Sequence, residues 1–187
     1  MIDLSKINFE ALAKKFKESK QKNLDIEKLK AAIRATLDKI VHMHRALRTD
    51  YQQKFEELIS SYNAGSRNID ELFEELLNLS RELSEEQTRH VRENLLPDEL
   101  VIFDILTRPA PDLSDAERDE VKKVAKQLLA KVQGLLALDW QKRAGPRAQV
   151  KGAISDALDD GLPRAYDKPL YEAKVEAVFE HFYETAA

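Results

Sequence analysis

The sequence predicts an all-α protein, an irregular multi-helix bundle of about seven to nine helices that includes two or three long ones. Composition points this way, since 34% of the 187 residues are charged and the chain has only 5 Gly and 6 Pro. Apolar residues recur at three- and four-residue steps, which is the helical period. Alternating segments rich in β-branched residues, and the dipeptides typical of hairpins, are missing. These observations together favour long helices over a sandwich or barrel.

The first helices are predicted by a cap and a long apolar stripe. Asn8 can cap a short amphipathic helix. Apolar side chains at helical spacing then run from Leu24 to Tyr62, the longest periodic stretch in the protein. We expect this stretch to form one helix or to break into two near Arg48 and Asp50. Gly65 ends it, because glycine readily adopts the left-handed conformation that follows a helix.

The middle helices are predicted by capping boxes and prolines. Asn68 with Glu71 opens a helix, and Ser84-Glu85-Glu86-Gln87 repeats the signature, so we expect a restart or a change of direction near residue 84. Pro97 starts a further short helix, which Pro109-Ala110-Pro111 interrupts because proline lacks the amide donor. This break divides the chain into an N-terminal helical part, 1–108, and a C-terminal helical part, 112–187. We expect the two parts to pack as one domain.

The last three helices follow from similar signals. Ser114 with Glu117 opens a long helix whose apolar face we expect to continue to Leu135 and Leu136. Trp140, which we interpret as a core residue, and Gly145-Pro146 mark a junction. The next helix closes at Gly161. Asp167 then caps the final helix.

Charge is distributed unevenly along the chain, although the formal net charge is only −4. Residues 1–54 hold 13 Lys and Arg against 7 Asp and Glu, residues 55–120 hold 6 against 18, and residues 121–187 hold 11 against 9. Solvated helix faces account for most such runs, and separate faces for separate partners are the alternative. The chain has no Cys, which excludes disulfides, thiolate metal sites and a cysteine nucleophile.

One motif imitates a nuclease. Pro111-Asp112 followed by Glu120-Val121-Lys122 has the residue order of a large nuclease class whose carboxylates converge on Mg²⁺. Here Glu120 and Lys122 are two residues apart in a predicted helix, so their side chains point to opposite sides. We therefore predict no catalytic residue at these positions.

Metal and cofactor sites are not predicted either. His42 and His44 are spaced i, i+2, whereas metal-binding helices use i, i+4, and His90 and His181 stand apart from other ligand types. We interpret all four histidines as structural. Neither a phosphate-binding Gly-Lys-Ser/Thr loop nor a Gly-x-Gly-x-x-Gly turn is present, so no nucleotide cofactor is expected.

Two basic clusters could contact DNA phosphates. The first lies in the predicted helix after Asn8, and the second surrounds Trp140, where a helix start would favour an anion. The candidate phosphate contacts are Lys14, Lys15 and Lys17 in the first cluster and Lys142, Arg143, Arg147 and Lys151 in the second.

Several segments resemble one protein family. They are 63–68 (Asn-Ala-Gly-Ser-Arg-Asn), 73–76, 102–109 (ending Leu-Thr-Arg-Pro), 160–166 (containing Gly-Leu-Pro-Arg-Ala-Tyr), 11–16 and 178–181. Together they look like the C-terminal helical region of the restriction subunit, the motor and nuclease subunit, of type I restriction enzymes. The likeness spans nearly the whole chain.

The resemblance implies a function in assembly. In that family a nuclease domain and two ATPase domains that translocate DNA precede the helical region, and none of their catalytic residues matches a position in this sequence. The implied partners are the modification and specificity subunits of the methyltransferase core, the rest of the restriction subunit, and duplex DNA as an auxiliary contact. The alternatives are a DNA-binding module and a free-standing helical scaffold. No apolar run approaches the roughly 18 residues of a membrane span, so we expect a cytoplasmic protein without a membrane partner.

Overall fold

The structure is a computed structural model that describes residues 3–40 and 44–185. Over this part of the chain it contains eight α-helices, two 3₁₀ turns and no strand, which confirms the all-α prediction. The 3₁₀ turns are Leu4–Lys6 and Trp140–Lys142. The helices are α1 (Phe9–Glu18), α2 (Lys22–Lys39), α3 (Arg45–Asn63), α4 (Ile69–Arg92), α5 (Pro97–Thr107), α6 (Asp115–Gln133), α7 (Ala144–Gly161) and α8 (Lys168–Thr185).

The chain divides into two compact units, Met1–Glu93 and Asn94–Ala187. The division therefore lies ahead of Pro109-Ala110-Pro111, where the sequence indicates a boundary between parts 1–108 and 112–187. Helix α5 precedes that proline break but packs against α6 and α8, and so belongs to the second unit. That the two parts pack as one domain stays a prediction.

In the first unit, α4 is the central helix. The first 3₁₀ turn, α1, α2 and α3 all pack against it. Its apolar face explains this, because seven residues between Leu72 and Leu83, six of them apolar, are buried. The core that results combines α4 with side chains from each neighbour: Leu4, Phe16, Ile26, Leu29, Ile33, Leu37, Phe55, Leu72, Phe73, Leu76, Leu77, Leu79 and Leu83.

The long stripe from Leu24 to Tyr62 forms two helices, and the prediction that a break would fall near Arg48 and Asp50 is wrong. Helix α2 ends at Lys39 and α3 begins at Arg45, after His44. Both helices pack against α4. A straight helix over the whole stripe would be roughly 58 Å long, whereas α4 is roughly 36 Å long. Folding the stripe back lets both halves bury their apolar faces on the same partner.

The predicted restart near residue 84 is also wrong, since α4 continues to Arg92 without interruption. Within this stretch Arg89 Nε lies 3.0 Å from Glu86 Oε2, an i, i+3 pair that the helical turn brings together. Leu83 is fully buried in the core just before the expected break. Beyond Leu83 none of the described residues of α4 is buried, so α4 continues past the capping signature at Ser84 as a partly exposed helix.

The second unit is a closed four-helix arrangement. Each of α5, α6, α7 and α8 packs against its neighbours along the chain, and α5 also packs against α8. Short connections join the helices, as expected for neighbours that run in opposite directions. Their buried faces form one core that includes Leu100, Phe103, Leu106, Val121, Leu128, Val132, Trp140, Val150, Ile154, Leu158, Val178 and Phe182.

Helix α6 ends earlier than the sequence suggests. It stops at Gln133, so the expectation that its apolar face continues through Leu135 and Leu136 is wrong. Gly134 caps the helix. Leu136 packs partly against the core, whereas Leu135 is exposed. The residues after Gly134 therefore form a connection between α6 and α7 rather than a further helical turn.

Candidate functional site

The connection between α6 and α7 is anchored by Trp140, which is 2% exposed, as the interpretation of a core residue predicts. Its ring makes edge contacts with Phe179 and Tyr183 of α8, with 6.0 Å between centroids in each pair. Gln141 Nε2 donates a hydrogen bond to the Tyr183 carbonyl, 3.4 Å away. The indole nitrogen of Trp140 has no hydrogen-bond partner among the described residues. Packing rather than hydrogen bonding therefore holds this side chain.

The four basic residues after Trp140 lie at the start of α7. Lys142 ends the 3₁₀ turn, and its ammonium is 3.4 Å from Asp139 Oδ1. Arg143 caps α7 through its backbone carbonyl, which accepts from the Arg147 amide at 3.1 Å. Lys151 is paired with Glu176 of α8, and its ammonium lies 5.7 Å from the centre of the Phe179 ring. The structure brings the four together, with two of their charges compensated.

Arg143 and Arg147 differ from the two lysines. Both are exposed, and neither has an ion-pair partner among the described residues. The first turn of α7 also has no side-chain cap, so the amides of Ala144 and Gly145 remain available. Two guanidinium groups beside uncapped amides make a positive region that suits a carboxylate or a phosphate.

The three lysines of the first cluster lie on α1 in the first unit. Lys14, Lys15 and Lys17 are all exposed. At about 100° per residue they spread over roughly 160° of the helix surface, so they do not form a single row. Lys17 borders a groove of about 450 Å³ between α1 and α4, where Asp70 and Glu74 supply opposite charge. Their contact with DNA phosphates stays a prediction.

The nuclease-like residues do not converge. Asp112 is an exposed residue of the loop before α6, and Glu120 is exposed on α6. The ammonium of Lys122 lies 5.8 Å from the centre of the buried Phe103 ring, against the core side of the helix. Glu120 and Lys122 therefore face different surroundings, as the helical spacing predicts.

The histidines are dispersed. His42 lies outside the described residues, and His44 caps the start of α3. His90 lies near the end of α4, and the His181 ring packs 5.5 Å from the Phe182 ring. Within 3–40 and 44–185, no group of three or more His, Asp or Glu residues is arranged to hold a metal ion. In the same ranges, no helix has the length and apolar content that a membrane span requires.

The segment 63–68, which carries part of the family resemblance, builds the turn between α3 and α4. Gly65 has a φ of +78°, a conformation that favours glycine. The Ser66 amide then donates to the Ser61 carbonyl at 2.9 Å and closes the end of α3. Asn68 and Glu71 form the predicted capping box at the start of α4. This motif is therefore a helix-reversing device.

The segments ending at Pro109 and at Tyr166 meet at the C-terminus of α5. The Tyr166 hydroxyl donates to the Leu106 carbonyl at 2.7 Å, and burial raises the pKa of Tyr166 to about 12. The Lys174 ammonium donates to the neighbouring Ile105 carbonyl, also at 2.7 Å. These two carbonyls belong to the last turn of α5, where carbonyl groups have no hydrogen-bond donors within the helix. Two other elements therefore satisfy the end of α5 inside the core.

Gly161, in the segment that ends at Tyr166, also has a structural role. A side chain added at this position would place its Cβ 2.4 Å from Val124 Cγ2 on α6, far inside van der Waals contact. Glycine at the end of α7 thus allows the two helices to approach closely. The motif residues Gly161 and Tyr166 both position helices of the second unit.

Sequence reasoning missed Lys174. Glu172-Ala173-Lys174 has the same Glu-x-Lys spacing as Glu120-Val121-Lys122, and such a spacing is expected by chance in a highly charged chain. Lys174 is 4% exposed, and burial lowers its pKa. A signal for this exists in the sequence. Leu170, Lys174, Val178 and Phe182 follow one another at four-residue steps, so the lysine stands within an apolar stripe.

A family model matches residues 1–187 of the chain. It describes the C-terminal region of endonuclease subunits like that of the type I restriction enzyme HindI. The chain belongs to this family, and the resemblance inferred from its segments is confirmed.

Two curated relatives agree with the family. The endonuclease subunit of type I restriction enzyme HindI from Haemophilus influenzae is 22% identical over 143 residues, which cover 76% of this chain and 14% of that protein. The putative endonuclease subunit of type I restriction enzyme MjaIXP from Methanocaldococcus jannaschii is 24% identical over 109 residues, which cover 58% of this chain and 10% of that protein. The chain thus spans about one seventh or less of the length of these relatives. No solved structure matches it.

Proposed function

We propose that this chain is the non-catalytic C-terminal helical module of a type I restriction enzyme R subunit, and that it docks the motor subunit to the methyltransferase core. The parent chain would carry out ATP-dependent DNA translocation and cleavage in the cytoplasm. The partners would be the modification and specificity subunits and the rest of the R subunit.

One observation carries this proposal. The segments that resemble the family hold helices in position: Gly65 and Asn68 reverse the chain, and Tyr166 closes the end of α5. Residues with such roles support a rigid shape rather than a reaction. A rigid helical surface is what a docking function requires, because association then costs little ordering of the chain.

A second candidate function is auxiliary contact with duplex DNA. Arg143 and Arg147 favour it, because both are exposed beside an uncapped helix start. Phosphate contacts release counterions, so binding of this kind weakens steeply with added salt. Burial of apolar surface lacks that steep salt dependence.

The test is a titration of the 187-residue chain against the methyltransferase core and, separately, against duplex DNA, each at about 50 and about 200 mM salt. Docking predicts saturable binding to the core at both salt concentrations. Tight binding to DNA at low salt together with no binding to the core would replace docking with the DNA-binding function.

A further inference from the structure

The turn that precedes Trp140 presents a leucine to solvent. The Trp140 amide donates to the Ala137 carbonyl at 3.2 Å, so Leu138 and Asp139 are the two central residues of a tight turn. Asp139 has a φ of +59°, in the left-handed region that non-glycine residues adopt infrequently. Leu138 is 91% exposed. Trp140 anchors the turn in the core while Leu138 stands at its tip.

Other exposed apolar side chains accompany Leu138. Among the described residues of the second unit, the exposed large hydrophobic side chains are Leu96, Leu135, Leu138 and Tyr183. Leu135 and Leu138 lie in the α6–α7 connection, and the Tyr183 ring contacts Trp140. Isolated exposed apolar residues are ordinary, but three around one anchored turn make a candidate interaction surface.

Positive charge borders these side chains. Residues 131–151 contain five Lys or Arg and one acidic residue, Asp139. Asp139 is paired with Lys142, and Lys151 is paired with Glu176, which leaves Arg143 and Arg147 without an ion-pair partner among the described residues. A guanidinium group can pair with a carboxylate through two parallel hydrogen bonds. The α7 side of this border therefore complements an acidic surface, whereas Glu180 and Glu184 are the exposed acidic residues on the α8 side, near Tyr183.

We infer that Leu135, Leu138 and Tyr183, with Lys142, Arg143 and Arg147 at their edge, form the docking surface for an acidic protein partner that has an apolar pocket for Leu138. This inference rests on the proposed docking function and identifies the face that performs it. A protein fits better than DNA, because phosphates offer nothing that favours burial of a leucine. Arginine beside a large apolar side chain is also typical of the residues that dominate protein interfaces.

The experiment measures affinity of the full 187-residue chain for the methyltransferase core of its own restriction system. Leu138→Asp should weaken binding about tenfold or more, since it removes the apolar contact and adds a repelled charge. Leu138→Ala should weaken it several-fold. Arg147→Glu should also weaken it several-fold, and a carboxylate in the first turn of α7 does not harm the helix. Leu24→Asp, a matched change at an exposed leucine of α2, should leave the affinity within about twofold.

The outcomes distinguish failure of the docking function from failure of the proposed docking surface. If the wild-type chain binds the core but Leu138→Asp and Leu138→Ala bind equally well, this surface is not the docking face, although the docking function stands. If the wild-type chain does not bind the core, the docking function and this inference both fail. If Arg147→Glu loses duplex DNA while the core is still bound normally, the surface contacts phosphate instead. Thermal unfolding of both Leu138 variants should match the wild type, because the side chain is exposed.

Discussion

The two units connect their helices by different means. Among the described residues of the first unit, α4 forms exposed ion pairs with two other helices: Lys22 with Asp70 at 2.8 Å, and Lys54 with Glu82 at 3.3 Å. In the second unit, the contacts of Tyr166 and Lys174 with the end of α5 are buried. Exposed pairs contribute little because water and salt screen them, whereas a buried carbonyl without a partner is costly.

This difference teaches which interactions specify each arrangement. The first unit depends on burial of apolar side chains against α4, so its helix positions follow from shape and area. The second unit adds directional hydrogen bonds from Tyr166 and Lys174 to the end of α5, and these bonds constrain how the helices pack. We therefore expect the first unit to be sensitive to core volume and the second to be sensitive to single polar groups as well.

The largest expected effect is Phe73→Ala in the first unit. Phe73 is buried on α4, and its ring stacks on Phe16 with 3.6 Å between centroids. Truncation should reduce the free energy of unfolding by about 3–5 kcal/mol, since it removes apolar contact and leaves a cavity. Urea denaturation measures the loss, and Phe73→Leu is the control that should lose less. A loss below about 1 kcal/mol would show that α4 is not the central core element.

The next effect depends on pH and concerns Tyr166→Phe. Burial raises the pKa of the Tyr166 hydroxyl from 10.0 to about 12 in the folded protein. As pH rises, this hydroxyl therefore ionises first in the unfolded chain. The contribution of this group is fully present below pH 10 and is lost as pH rises toward 12. The wild-type advantage over Tyr166→Phe should shrink by roughly 2–3 kcal/mol across that window.

Urea denaturation of both proteins at about pH 9, 10 and 11 measures about half of this loss, roughly 1.4 kcal/mol, because the window continues to pH 12. Comparing the two proteins removes the contribution of Lys174, whose lowered pKa acts in the opposite direction in both. A difference that does not change with pH would mean that the hydroxyl is not buried against the Leu106 carbonyl.

A smaller effect comes from Gly161→Ala at the contact of α7 with α6. The added methyl group would meet Val124, so we expect a loss of about 2 kcal/mol from overpacking. Gly152→Ala is the matched control on the same helix, because an added Cβ there meets no atom within 4 Å. That control should stabilise the protein by up to about 1 kcal/mol. Equal effects of the two changes would contradict the close approach at Gly161.

The smallest effect is expected for Glu82→Gln, which removes an exposed ion pair of the first unit. The loss should be about 0–1 kcal/mol and should vanish in high salt. Thermal unfolding at low and high salt measures it. A loss as large as that of Phe73→Ala would overturn the view that exposed ion pairs contribute little to the first unit.

Much of the fold could be predicted from local signals. Asn8, Asn68, Ser114 and Asp167 each accept a hydrogen bond from a backbone amide three residues on, so their side chains mark helix starts wherever the helix later packs. The position of the break between α2 and α3 and the continuity of α4 could not be predicted in this way. The break depends on which faces become buried together, and neither feature leaves a local signal.

The candidate surface could be predicted only in part. The sequence places Lys142, Arg143, Arg147 and Lys151 near one helix start, and the structure brings them together there. That Glu176 pairs with Lys151, while Leu138 is exposed beside a buried Trp140, follows from the packing of α8 against α7. Periodicity alone does not distinguish a stripe that packs in the core from one that faces a partner.

The sequence by itself determined the helical class and most helix ends, because capping, turn formation and apolar period act over a few neighbouring residues. The family followed from the resemblance of several segments. Tertiary structure decided which helices share a core, that Lys174 is buried against the end of α5, and that the α6–α7 turn projects a leucine. These features join residues far apart in the chain. The physical reason is that all apolar faces compete for burial and all buried polar groups compete for hydrogen-bond partners, so these features depend on the whole fold.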